Sequence, residues 1–153
     1  MKKNLFAIFS LAVLVFVGAG CGKKNDDAPV TKTSLISRTW LLTGLTVSPA
    51  IFGQTNLLAG SSACELDDIT VFTSAGTYTG EEGATKCSPS DPQVYERGNW
   101  RFLNNETQLE MTETGGTPNV LNISELTAAR MVATFSENFG GVNYTYTATY
   151  TAR

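Results

Sequence analysis

Histidine is absent from all 153 residues. The side chain that most often acts as general base and metal ligand near neutral pH is therefore missing. A serine or cysteine nucleophile has no imidazole to activate it, which excludes the usual triads and dyads. Charge is sparse as well. Charged residues make up 16% of the chain and the formal net charge is −3, whereas a nucleic-acid partner calls for a surplus of Lys and Arg. No glycine-rich loop opens a helical pattern, so a phosphate cradle is not expected. Together these absences point to a non-enzyme that needs no cofactor and no metal. Cysteine is scarce, at three residues, and the odd number leaves at least one outside any intramolecular disulfide. What the chain does have is 42% hydrophobic residues, 14 glycines and many threonines in a length suited to one domain.

The N-terminus reads as an address. Lys2 and Lys3 precede an uncharged apolar run from Leu5 to Val17, broken only by Ser10, and the small residues Gly18, Ala19 and Gly20 lead to Cys21. A charged start, an apolar middle and a small-residue end make a secretory signal. The apolar run falls short of the roughly 20 residues that span a bilayer. The Ala19-Gly20-Cys21 end resembles the lipobox of bacterial lipoproteins, although Gly18 stands where that pattern usually has Leu. The resemblance implies cleavage before Cys21 and lipidation of Cys21, which attaches the chain to a membrane. The expected address is the bacterial cell envelope, lipid-anchored, at the outer membrane. Residues 1–20 are then signal. Residues 21–33, with Lys23, Lys24, Asp26, Asp27 and Pro29 and almost no large aliphatic, form a flexible tether.

Residues 34–153 read as one run of strands. Short alternating stretches are separated by turn residues, the pattern of a sandwich or barrel. Eight strands are expected, at about residues 38–47, 65–73, 76–80, 94–103, 107–113, 119–126, 131–136 and 142–152. The last is the clearest. Val142, Tyr144, Tyr146, Ala148 and Tyr150 alternate with Asn143, Thr145, Thr147 and Thr149, so one face is oily and the other hydroxylated. Long loops are expected at 48–63 and 81–93. Short connections favour antiparallel neighbours, and an eight-stranded meander can close on itself and remove its edges. The expected fold is all-β, an eight-stranded antiparallel up-and-down β-barrel.

Several motifs in order carry a second resemblance. They are Ile36 to Trp40, Ala63-Cys64-Glu65-Leu66-Asp67-Asp68, Phe72 to Tyr78, Cys87 to Pro92 and Gly98-Asn99-Trp100-Arg101-Phe102. The set resembles the lipocalin-like domains of small bacterial lipoproteins. That resemblance implies an up-and-down barrel, often with a central cavity, and leaves the ligand open.

With Cys21 lipidated, Cys64 and Cys87 remain in an oxidising compartment, where a disulfide is the default. No Cys-x-x-Cys spacing supports a metal or redox site. Glu65, Asp67, Asp68, Glu81, Glu82 and Asp91 crowd around these cysteines with only Lys86 opposed. A solvated acidic rim is the favoured reading and a calcium site the rival. Trp40, Trp100, Phe102, Phe135, Tyr144 and Tyr146, together with Phe72 and Tyr78, are the candidates for lining a ligand cavity. The same side chains would also fill a barrel that holds nothing, and packing is the stronger reading of each taken singly. The functional expectation is a membrane-anchored monomer that binds a small, largely apolar ligand. The alternative is a cell-surface interaction module with a packed barrel, contacting protein or glycan through its loops and exposing Ile51, Phe52, Leu57 and Leu58.

Overall fold

The computed structural model describes residues 29–153. The expected signal, Cys21 and most of the tether lie outside the described residues. Nine strands form one antiparallel sheet, and eight of them close into a barrel. In chain order the elements are α1 (Lys32–Ile36), β1 (Thr39–Ile51), β2 (Gln54–Asn56), α2 (Ala63–Leu66), β3 (Ile69–Phe72), β4 (Thr77–Glu81), β5 (Val94–Leu103), β6 (Gln108–Glu113), β7 (Pro118–Leu126), β8 (Arg130–Phe139) and β9 (Val142–Ala152).

From β3 to β9 each strand pairs with the next, and β1 closes the ring between β9 and β3. The closing seam is long. It pairs Trp40 with Ala152 at one end and Ser48 with Thr145 at the other, with a bulge between Leu42 and Gly44. On its other side β1 pairs with β3 through Thr39 to Leu41 and with β2 through Thr46 and Ile51. The short β2 is the ninth strand, a flap on the part of β1 that outruns β3.

The barrel has two unlike ends. At the closed end the turns between β5 and β6 and between β7 and β8 meet α1. Thr31 caps α1 by accepting from the Ser34 N–H at 3.1 Å. This turn of helix is a plug: it buries Ile36 completely, and the Trp40 Nε1–H donates to the Ile36 carbonyl at 2.9 Å. Lys32 Nζ donates to the Glu106 carbonyl at 2.7 Å, tying the plug to the β5–β6 turn. Above the plug lies the core of Trp40, Phe72, Tyr78, Trp100, Leu109 and Met131. Trp100 meets Phe72 and Phe102 edge to face, with centroids 5.9 Å and 5.4 Å apart. Such pairs contribute about 1 kcal/mol each beyond their burial.

The opposite end is open because the strands there have unequal reach. The pairing of β7 with β8 stops at Asn122 and Thr134, whereas β8 and β9 continue to Phe139 and Val142. The β8–β9 hairpin and the end of β1 therefore project past the rest of the ring.

Four boundaries differ from the sequence expectation. The expected strand at 65–73 begins as α2, because Ser62 and Glu65 form a reciprocal capping box that favours a helical turn. The expected loop at 48–63 contains the end of β1 and all of β2. The seventh expected strand runs from Arg130 to Phe139, since β9 offers it a partner along its whole length. The helix α1 also begins at Lys32, inside the segment read as tether.

Candidate functional site

The barrel alternates, so every second residue points inward. In the open half those residues surround a cavity of about 310 Å³ lined by Tyr78, Glu96, Met111, Glu113, Thr117, Asn119, Leu121, Phe135 and Tyr150. The register brings several of them together. Tyr78 faces Gly98, Gly98 faces Glu113, and Leu121 faces Leu109.

Gly98 makes room for the wall of this cavity. A Cβ there would lie 2.3 Å from the Thr112 carbonyl oxygen and 2.5 Å from Tyr78 Cε1. Only glycine lets the Tyr78 ring lie across β5. The first residue of the Gly-x-Trp-x-Phe motif is thus a steric requirement of Tyr78.

Tyr78 donates its hydroxyl to Glu96 Oε1 at 2.6 Å. Burial, that bond, and the charges of Glu96 and Glu113 all hold the Tyr78 hydroxyl in its protonated form, raising its pKa. The Tyr150 hydroxyl is raised by burial and by Glu96. It makes no hydrogen bond to another described residue. Tyr95, at the rim, is pushed up to about 12, by burial first and then by Asp68, Glu96 and Glu82. The open half therefore carries carboxylates set among phenols and apolar side chains.

A second hollow of about 360 Å³ lies beside the first, between the projecting hairpin and the end of β1. Ile51, Phe52, Glu137, Phe139, Tyr144 and Tyr146 line it. Phe52 is fully exposed and Phe139 is 79% exposed. Ile51, Leu57 and Leu58, expected to be exposed, are half-buried. The 48–63 segment folds back on β1 as β2 and a turn, in which the Leu57 N–H donates to the Leu45 carbonyl at 2.8 Å.

The sequence candidates are thus distributed over three places. Trp40, Trp100 and Phe102 belong to the closed-end core. Phe135 lines the central cavity, while Tyr144 and Tyr146 line the outer hollow. Glu96, Met111, Glu113, Thr117, Asn119, Leu121 and Tyr150 were not singled out from the sequence. The inward parity of Glu96 and Glu113 with Trp100 and Met111 was the signal that could have found the two carboxylates.

Cys64 and Cys87 form a disulfide. It fastens α2 to the loop between β4 and β5, where the acidic residues gather. Several of these hold turns. Glu65 accepts from the Ser62 N–H at 2.8 Å, and this bond lowers its pKa. Asp67 Oδ2 accepts from both the Thr85 N–H and Oγ1 at 2.9 Å, and Asp91 from the Ser88 N–H at 2.9 Å. Asp68 and Glu82 stand close enough to repel. Burial first and neighbouring carboxylates second raise the pKa of each. Among the described residues no group of three or more acidic or cysteine side chains converges as metal ligands.

A closed antiparallel barrel, sealed at one end and hollow at the other, is the architecture of a small-molecule-binding barrel. Residues 36–133 match the lipocalin-like domain, and the chain belongs to that family. Lipocalin-like domains are typically binding proteins rather than enzymes, and the barrel suggests small-molecule binding in general. No curated protein matches the chain.

Proposed function

We propose that the protein is a lipid-anchored binding protein of the bacterial outer membrane, acting as a monomer, whose barrel takes up a small, largely apolar molecule. The observation that carries this reading is the open-half cavity, with its Met111, Leu121, Phe135 and tyrosine faces. These apolar faces stand beside the polar side chains of Glu96, Glu113, Thr117 and Asn119, and convergent polar groups are what orient a ligand in such a site. Burying an apolar ligand there contributes about 25 cal/mol per Å² removed from water.

The anchor and the cavity fit together. The described chain enters the barrel at the closed end, beside α1, and the cavity opens at the other. A lipid on Cys21 is then attached on the side of the barrel opposite the mouth. Native mass spectrometry of the full-length protein extracted in mild detergent tests the ligand. A released small molecule supports the reading. A bare lipidated chain that also fails to take up the apolar fluorophore N-phenyl-1-naphthylamine overturns it. Palmitate labelling that is equal in wild type and Cys21→Ser overturns the anchor.

One observation favours a second reading, in which the loops contact a protein or glycan. Phe52 and Phe139 stand exposed on adjacent hairpin tips, with Val142 beside them. Under this reading a double Phe52→Ser, Phe139→Ser variant loses its cross-linked partner in whole cells while still taking up the fluorophore.

A further inference from the structure

We propose that the ligand of the central cavity is a small organic cation: an amine on a flat apolar body, its ammonium held by Glu96 and Glu113. This rests on the reading that the cavity binds a small molecule and specifies the chemistry of that molecule.

The cavity has charge of one sign only. Glu96, half-buried, and Glu113, exposed at the cavity's mouth, both line it, and no Lys or Arg does. Both carboxylates act on the same Tyr78 hydroxyl, so they share one region of the wall. Among the described residues no ion pair reaches either carboxylate, and Arg97, beside Glu96 in sequence, alternates to the outer face. Arg101 is paired with Glu110 on the outer face and Arg130 with Glu125 near the closed end. Lys86 is tied to the Asp91 carbonyl, and Lys32 and Arg38 bond carbonyls at the closed end. An ammonium entering the cavity meets two carboxylates that have no competing cation.

The remaining lining suits the rest of such a molecule. Tyr150 is half-buried, its hydroxyl makes no hydrogen bond to another described residue, and it can accept from an ammonium N–H. The rings of Tyr78, Phe135 and Tyr150 offer faces for cation–π contact and for a flat ring system. Met111 and Leu121 give the apolar body an adaptable surface.

The approach to the cavity has the same sign. Over residues 29–153 seven cations face twelve carboxylates, and Asp68 and Glu82 stand at the rim, within electrostatic reach of Tyr95. A mouth of one sign draws in the opposite charge and repels its own. An anionic apolar ligand such as a fatty acid would bring its charge against two carboxylates of the same sign.

The test uses the full-length lipidated protein in phosphatidylcholine nanodiscs, with empty discs as control. Calorimetry compares tryptamine, its neutral analogue tryptophol and the anion indole-3-propionate. N-phenyl-1-naphthylamine fluorescence reports the apolar cavity independently. The expected result is tryptamine binding roughly tenfold or more tighter than tryptophol, the scale of one charged hydrogen bond, and no binding of indole-3-propionate. Added salt weakens tryptamine alone. Glu113→Gln, which leaves the Tyr78–Glu96 bond in place, narrows the gap between tryptamine and tryptophol. Tryptophol or indole-3-propionate binding as tightly as tryptamine overturns the inference. So does a Glu113→Gln, Glu96→Gln double variant that stays folded by circular dichroism and keeps the full preference. Fluorophore uptake without amine preference overturns the charge assignment and leaves the apolar-ligand reading standing. Uptake of none of the four probes overturns both.

Discussion

Phe135 and Tyr146 stack face to face, with centroids 4.8 Å apart and planes 8° from parallel, and they belong to different hollows. Phe135 faces the central cavity and Tyr146 the outer one. The pair is the partition between them, built from directly opposed residues of β8 and β9.

Removing one leaf of this partition joins the hollows. Phe135→Ala is expected to cost about 2 kcal/mol, below the value for a fully buried ring because Phe135 is half-buried. It is also expected to admit bulkier apolar probes than wild type. Urea unfolding measures the first, and uptake of a graded series of naphthyl and anthracenyl fluorophores the second. An unchanged size limit would show that the pair does not separate the hollows.

Gly98 is expected to tolerate no side chain. Its Cβ would meet both the Thr112 carbonyl and the Tyr78 ring at well under contact distance. Gly98→Ala should destabilise by at least about 2 kcal/mol through overpacking. Shifting the Tyr78 ring would also disturb its bond to Glu96, so the same variant should lose fluorophore affinity. Chemical denaturation and a fluorophore titration on one sample check both.

The Cys64–Cys87 bridge closes a loop of 23 residues in sequence separation. By the chain-entropy estimate it contributes roughly 3 kcal/mol, chiefly by restricting the unfolded chain. Reduction should therefore lower the thermal midpoint, while circular dichroism below the transition still reports a barrel, since no strand pairing passes through the bridge. A midpoint insensitive to reductant would contradict this.

The acidic rim gives a pH dependence of definite sign. Folding raises the Asp68 pKa, so the folded state binds more protons than the unfolded one just above the ordinary carboxylate range. Its contribution is greatest at low pH and is lost as pH rises through the folded value. Glu82 has the same sign and Glu65 the opposite one, because its pKa is lowered. Asp68→Asn should therefore raise the thermal midpoint at pH 7 and leave it little changed near pH 4. Melting curves at the two pH values decide it; a larger gain at the acid end would reverse the assignment.

Much of the barrel was legible in order and direction. The period-two runs of β5, β6 and β9 lie where alternation placed them, because a half-buried strand must present oily residues to one side. The strand β2 was not legible: Gln54, Thr55 and Asn56 are all polar and exposed, and their pairing depends on β1 outrunning β3. The plug α1 has five residues, too few to show a helical period. The turn α2 did leave a sign, since Ser62 and Glu65 have the spacing of a capping box.

By itself the sequence determined which way each side chain points, because inward and outward simply alternate along a strand. It also determined that Cys64 and Cys87 were the pair left to join once Cys21 was assigned to the lipid. Height within the barrel was decided only by the tertiary structure. Trp40 and Tyr150 follow the same alternation on neighbouring strands, yet one is sealed within the core and the other faces a hollow. The difference comes from the stagger of the closing seam, from where α1 seats, and from the point at which β8 leaves β7. These long-range registers place two inward carboxylates beside an empty space, where local pattern could show only that they faced in.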